Sequence, residues 1–320
     1  MAKIDSSQNR ARSISDLQQR IAYCVRVARI TFCLAGIILT GVQVVKFFTD
    51  APEDRGLASL SIGFALGITL LILCLPPLLE RAVAWLAARI RSRNLAILIY
   101  VLGLALTAMF VSLKIVLDPE SWRLISTEGG VSEYGTAIAY LLLTFFAYPI
   151  SRQFWRQNQK IMGVLYGILA FLGFFVGMEE ISWGQRLIGF EEPEFWAKHN
   201  AQSEFTFHNL SYYQTNILDQ SYIAIGLIGS LGWILLRYWE RKPQHRIDPS
   251  YILPSWSVSS FFYANLIFYT IFLNTDGFGF FVAHDQEHSE FIMSLGVLLF
   301  VIINFLRQAK EGKLAASKTS

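Results

Sequence analysis

Long apolar runs recur along nearly the whole chain, and they constrain its fold more than any other feature of the sequence. A helix needs roughly 20 apolar residues to cross the hydrocarbon core of a bilayer, which is about 30 Å thick. The sequence therefore predicts an all-α, polytopic membrane bundle of about eight transmembrane helices. The predicted spans are residues 30–48, 57–79, 95–117, 132–150, 161–178, 222–239, 258–273 and 280–305.

The composition agrees with a membrane bundle. Hydrophobic residues make up 53% of the chain and charged residues 16%, whereas a soluble domain usually carries about 25% charge. Two predicted spans are irregular, because 258–273 is short and 280–305 reaches full length only if its polar first turns are helical.

Two GxxxG patterns in the fifth predicted span indicate close helix packing. Small residues at this spacing let the backbones of neighbouring membrane helices approach each other. The patterns are formed by Gly163 with Gly167 and by Gly173 with Gly177.

The distribution of charge predicts an orientation. If the N-terminus is cytoplasmic and the spans alternate, 21 of the 27 Lys and Arg residues fall on the cytoplasmic side, which is the bias found in membrane proteins. Of the 24 Asp and Glu residues, 18 fall on the opposite side, with four of the five histidines. We therefore expect a multi-pass protein of the inner (plasma) membrane, with both ends cytoplasmic and its acidic face toward the periplasm or the exterior.

These spans divide the chain into three parts. Residues 1–27 form a basic cytoplasmic segment, residues 28–307 form the bundle, and residues 308–320 form a cytoplasmic tail that we expect to be disordered. Within the bundle, residues 179–221 form a long loop on the non-cytoplasmic side. Loops of this length in compact proteins are often functional.

The first polar segment follows the fifth span, at Glu179–Arg186. Adjacent carboxylates at the end of a membrane helix are costly unless they are paired, hydrated or metal-bound. On a continuing helix Glu179 shares a face with Trp183 and Arg186, which allows an ion pair, while Glu180 points toward the bundle. We predict a catalytic role for Glu180 and substrate binding by Glu179, Gln185 and Arg186.

Two further segments complete a predicted site. In the long loop, His208 is a candidate metal ligand, and Glu204 and Asn209 are candidate substrate-binding residues. Before the last span, His284 and His288 are one helical turn apart, a spacing at which two imidazoles can bind one Zn²⁺ ion. Glu287 lies beside them and is a candidate catalytic base.

Two resemblances accompany these motifs. The segment from Phe207 and His208 to Asp219, together with the His284-x-x-x-His288 pair, resembles alkaline ceramidases and related membrane hydrolases. That resemblance implies a zinc ion held by three histidines. The EEISWGQR block with its following His-Asn is similar to a set of uncharacterised bacterial membrane proteins and implies no activity.

The sequence leaves three functions open. The first is a metal-dependent hydrolase or transferase, with zinc as its cofactor, that acts on a lipid, a lipid-linked sugar or a membrane peptide. The second is a proton- or cation-coupled transporter or flippase in which the same acids and histidines titrate or bind a cation. The third is a non-catalytic assembly protein. The expected partners are the bilayer and a lipid or lipid-linked substrate, with no nucleic acid.

Overall fold

The computed structural model describes residues 92–126, 130–185, 190–191, 205–207, 218–240, 248–272 and 285–316, and isolated positions between 22 and 89. The described part is built from helices and contains no strand. Its α-helices are α1 (Arg93–Val116), α2 (Pro119–Ser126), α3 (Val131–Arg156), α4 (Lys160–Glu180), α5 (Asp219–Glu240), α6 (Ser260–Phe272) and α7 (Gln286–Ala316). Short 3-10 helices lie at Ser182–Gly184, Pro249–Tyr251 and Trp256–Val258.

Five helices in the described ranges are long and apolar enough to cross a membrane. They are α1, α3, α4, α5 and the Gln286–Gln308 part of α7. The prediction of a helical chain with several membrane-spanning helices is therefore confirmed for the described residues. The seventh predicted span forms α6, which has only 13 residues, and the first two fall largely outside the described residues.

The helices differ from the predicted spans in the length of α7 and in one additional helix, among other smaller shifts. Helix α7 continues to Ala316, although residues from 308 onward were expected to be a disordered tail. Helix α2 was not predicted, because its eight residues hold too few apolar side chains to give a signal. The side chain of Asp118 accepts from the backbone N–H of Ser121 over 2.9 Å and stabilises the first turn of α2.

The predicted glycines pack α4 closely against α3. A Cβ added at Gly173 would lie 2.7 Å from Leu143 Cδ2, and one added at Gly177 would lie 3.1 Å from the carbonyl oxygen of Ala137. Across the same contact, Thr144 donates to the carbonyl of Ala170 over 3.0 Å. The GxxxG prediction of close packing is confirmed for this pair of helices.

Helix α7 lies at the centre of the described helices. Met293 and Val301 are completely buried, and Asn304 donates to the hydroxyl of Tyr166 on α4 over 2.9 Å. Near its start, His288 is hydrogen-bonded to Ser132, which is near the start of α3. These contacts fix two opposite ends of the bundle.

The two ends differ in charge. We call one the acidic end; it holds the end of α1, the starts of α3, α5 and α7, and the ends of α4 and α6. Its described acids include Asp118, Glu120, Glu133, Glu179, Glu180, Asp219, Asp285, Glu287 and Glu290. The basic end holds the opposite helix ends, with Arg93, Arg156, Lys160, Arg237 and Arg307.

Candidate functional site

The end of α4 turns sharply after its two glutamates. Ser182 and Trp183 have φ angles of 48° and 51°, a left-handed conformation that is uncommon for residues other than glycine. The helix therefore stops at Glu180, and the continuing helix on which Glu179, Trp183 and Arg186 would share one face does not form. Trp183 Nε1 nevertheless reaches back and donates to Glu179 Oε1.

Glu179 and Gln185 bind the backbone of the long loop. The N–H of Phe207 donates to Glu179 Oε2 over 2.7 Å, and the N–H of Phe205 donates to Gln185 Oε1 over 2.5 Å. Thr206, between them, is completely buried. The two side chains predicted to bind substrate thus join the first polar segment to the second. The other predicted residues of these segments, Arg186, Glu204, His208 and Asn209, lie outside the described residues.

Glu180 faces the interior of the bundle. Its side chain is 8% exposed, and it interacts electrostatically with four other glutamates from α3, α4 and α7. No hydrogen bond to its carboxylate is found among the described residues. The four neighbours are Glu290, Glu287, Glu133 and Glu179.

Tyrosines surround the same acids. Glu290 accepts hydrogen bonds from the hydroxyl of Tyr222 over 2.8 Å and from the hydroxyl of Tyr269. The two tyrosine rings stack with centroids 4.6 Å apart. Tyr140 lies within electrostatic range of both Glu180 and Glu290. We call the five glutamates (Glu133, Glu179, Glu180, Glu287 and Glu290), with Tyr140, Tyr222 and Tyr269, the acid–tyrosine cluster.

His288 occupies a separate environment. Its Nδ1 lies 2.5 Å from Ser132 Oγ, its ring stacks on Phe110 at 4.4 Å, and the edge of Trp122 lies at 4.5 Å. The charged groups that act on it are Asp285 and Lys114. The side chain is 5% exposed, and its Nε2 atom has no hydrogen-bond partner among the described residues.

The separation of His288 from Glu287 follows from helix geometry. Successive residues of an α-helix are about 100° apart, so residues three positions apart share a face. Glu287 and Glu290 therefore face the acid–tyrosine cluster together, while Asp285 and His288 face α1 and α2. Asp285 pairs with Lys114 and accepts from Trp122 Nε1 over 3.0 Å.

The predicted metal site is described only in part. Within the described ranges, no three His, Cys, Asp or Glu side chains come together closely enough to hold one metal ion. His208 and His284 lie outside those ranges, so His288 is the one predicted histidine ligand whose surroundings are described. Its Nδ1 is bonded to Ser132, which leaves Nε2 as its one nitrogen without a described partner.

Several cluster residues had weak or absent signals in the sequence. Glu290 could have been found from its position three residues after Glu287. Tyr140, Tyr222 and Tyr269 lie within or beside apolar runs, and nothing in the sequence indicates that their hydroxyl groups face carboxylates.

Comparison with known proteins does not identify the chain. No family model, no curated protein and no solved structure matches it. Both resemblances noted from short motifs therefore stay predictions, and the geometry of the acidic end is the basis for assigning a function.

Proposed function

We propose that the protein is an integral membrane enzyme that hydrolyses, or transfers a group from, a lipid or lipid-linked substrate at its acid–tyrosine cluster. The observation that carries this proposal is the environment of Glu180, which is buried, lies within electrostatic range of four other glutamates and has no described hydrogen-bond donor. Buried polar groups normally have partners, because desolvation without one is costly. A carboxylate without a donor is available to a proton, a cation or a substrate hydroxyl group.

In this proposal the acids have different roles. Glu180 accepts the proton of the attacking water or hydroxyl group and returns it to the leaving group, as a general base and then a general acid. Glu287, which acts electrostatically on Glu180, assists it from α7. Glu290 positions the cluster, because two tyrosine hydroxyls already occupy its oxygens.

Oxygen ligands favour a hard divalent cation at this cluster. Carboxylates suit Mg²⁺, Mn²⁺ or Ca²⁺, and Mg²⁺ is often held by one or two carboxylates together with water and substrate phosphate. Glu180 and Glu287 would hold it together with water and substrate oxygens, since the described ranges contain no three converging protein ligands. Such an ion stabilises negative charge that develops on the substrate.

Zinc is the second candidate cofactor, with His208, His284 and His288 as its ligands. His208 follows Phe207 in the chain, and the backbone N–H of Phe207 donates to Glu179 at the acidic end. At His288, however, the carboxylate that acts on the imidazole is Asp285, which already pairs with Lys114. We therefore favour a cation at Glu180.

We also propose that the acidic end faces the periplasm or the exterior of a bacterial plasma membrane. The support is the gathering of Arg93, Arg156, Lys160, Arg237 and Arg307 at the opposite end. The substrate would then enter from the outer leaflet.

The test is hydrolysis measured in ¹⁸O-labelled water. Purified protein in liposomes made from a total bacterial lipid extract is incubated with Mg²⁺, Mn²⁺, Ca²⁺ or Zn²⁺, and the lipids are analysed by mass spectrometry. We expect the wild type to form products, carrying ¹⁸O if the reaction is hydrolysis. Glu180→Gln should lose at least 99% of this turnover, whereas Glu191→Gln, at an exposed position, should keep it.

A proton- or cation-coupled transporter is the second candidate. The cluster acids lie on three different helices, α3, α4 and α7. A transporter needs such an arrangement, because relative motion of the helices would then change the cation site. If Glu180→Gln abolished cation-gradient-driven lipid or solute movement in these liposomes, and the wild type formed no lipid product, the transporter would replace the enzyme.

A further inference from the structure

A cavity of about 200 Å³ lies beside His288, on the side of α7 away from the acid–tyrosine cluster. It is open on one side and lined by residues of α1, α2, α6 and α7 and by Asp285, just before α7. Most of its wall is apolar, with polar groups where Lys114 and Asp285 pair. The apolar and aromatic residues of the wall include Phe110, Val111, Trp122, Ile267, Phe268 and Ile292.

The cavity borders the surface that a membrane would cover. Val111 is 37% exposed on α1, a helix long and apolar enough to span, and Ile267 is 56% exposed on α6. Both residues line the cavity. In a bilayer, a space with apolar walls between two such residues is continuous with the lipid chains.

His288 gives this cavity one unsatisfied polar atom. Its Nε2 is buried and has no hydrogen-bond partner among the described residues, while Nδ1 is bonded to Ser132. A buried nitrogen left unpaired costs free energy, and a ligand group that satisfies it recovers that cost. The cavity thus combines a mostly apolar wall with a histidine nitrogen that has no described partner.

We propose that this cavity binds the acyl chain of a membrane lipid, with the ester carbonyl of that chain accepting a hydrogen bond from His288 Nε2–H. Ser132 Oγ–H then donates to Nδ1 and fixes this tautomer. The volume is below the ~300–1,000 Å³ typical of sites that enclose a whole small molecule, so it holds the first part of a chain. The Lys114–Asp285 pair lies at the polar end, where the lipid headgroup begins.

This inference goes beyond the proposed function, because lipid capture at His288 requires no turnover. Its test is photo-crosslinking in liposomes that contain a trace of phosphatidylethanolamine with a diazirine close to the carbonyl of one chain. Labelled peptides are mapped by mass spectrometry. We expect labelling at Phe110–Val111 and Ile267–Phe268 above that at Ile228, a residue on α5 that is 54% exposed.

The contribution of the carbonyl is measured with a matched ether lipid, which carries the same diazirine but no carbonyl oxygen. One hydrogen bond contributes about 0.5–1.5 kcal/mol, so the ester probe should label the cavity about two- to tenfold more than the ether probe. His288→Phe keeps the stacked ring and should remove the preference for the ester.

The wild type alone can overturn the proposal. Labelling of the cavity no stronger than labelling at Ile228 would show that no chain occupies it. Equal labelling by the ester and ether probes would show that His288 does not bind the carbonyl. Neither result depends on whether His288→Phe folds, and neither bears on the role of Glu180.

Discussion

The backbone N–H of Phe207 donates to Glu179 Oε2 over 2.7 Å, and this bond joins the end of α4 to the middle of the long loop. The same carboxylate accepts from Trp183 Nε1. Both oxygens of Glu179 are therefore occupied by donors, so its role is to hold the loop beside the cluster. Glu180, the next residue, has no described donor, and it is the residue to which we assign the proposed chemistry.

Replacing Glu179 should release the loop. Hydrogen bonds to charged groups contribute about 1.5–3 kcal/mol each. Because two donors lose their acceptor, we expect Glu179→Ala to lower the free energy of unfolding by about 3–6 kcal/mol and to make the chain at Phe205–Phe207 more accessible to protease. Thermal unfolding in detergent and limited proteolysis measure these effects. Glu191→Ala, at an exposed position in the same loop, should change neither, and a protected loop in Glu179→Ala would contradict the proposed tether.

The tyrosine hydroxyls on Glu290 should stabilise the bundle only while the carboxylate is present. Tyr222→Phe and Tyr269→Phe each remove one donor from a buried acceptor, which costs about 1–3 kcal/mol. In a Glu290→Leu background the same substitutions should have little effect, and this difference is the coupling measured by a double-mutant cycle. Tyr148→Phe, on a tyrosine that is 62% exposed, is the control. Additive effects would show that the hydroxyls act elsewhere.

A divalent cation should stabilise the wild type through Glu180. A ligand at 100 times its dissociation constant adds about 2.7 kcal/mol to stability. We expect Mg²⁺ or Mn²⁺ to raise the Tm of the wild type, and Glu180→Gln to weaken Mn²⁺ binding at least tenfold, as measured by electron paramagnetic resonance. Glu191→Gln should bind as the wild type does. Unchanged Mn²⁺ binding by Glu180→Gln would show that the cation does not bind at this cluster.

The sequence predicts the positions of several helices well and the composition of the site less well. The starts of α1, α3 and α4 lie within two residues of the predicted spans, because burial in lipid demands long apolar runs. The placement of Glu180 toward the bundle also agrees with the prediction. Helical periodicity could have predicted that His288 and Glu287 face different sides of α7.

Other parts of the site had no basis in the sequence. The turn at Ser182 and Trp183 uses left-handed backbone angles that neither residue type predicts. The tyrosines of the acid–tyrosine cluster become polar partners only through the packing of α5 and α6 against α7. Such contacts between distant segments depend on which helix faces meet, and apolar runs carry little information about faces.

The close approach of α3 and α4 should make Gly173 intolerant of a side chain. A Cβ there would lie 2.7 Å from Leu143 Cδ2 and 3.0 Å from the carbonyl oxygen of Tyr140, and the backbone atom cannot move alone. Overpacking of this kind costs about 1–3 kcal/mol, so Gly173→Ala should lower the free energy of unfolding by that amount. At Gly41, also helical, an added Cβ meets nothing within 4 Å, and Gly41→Ala should be neutral or slightly stabilising.

The orientation of the bundle can be tested with single cysteines in a background without the native ones. We expect a cysteine at Glu191, an exposed position in the long loop, to react with a membrane-impermeant maleimide in intact cells. A cysteine at Gln157, exposed between α3 and α4 at the basic end, should react only after the membrane is opened. This order follows because segments rich in Lys and Arg are retained in the cytoplasm. The reverse order would place the acid–tyrosine cluster on the cytoplasmic side and would require the substrate to enter from the inner leaflet.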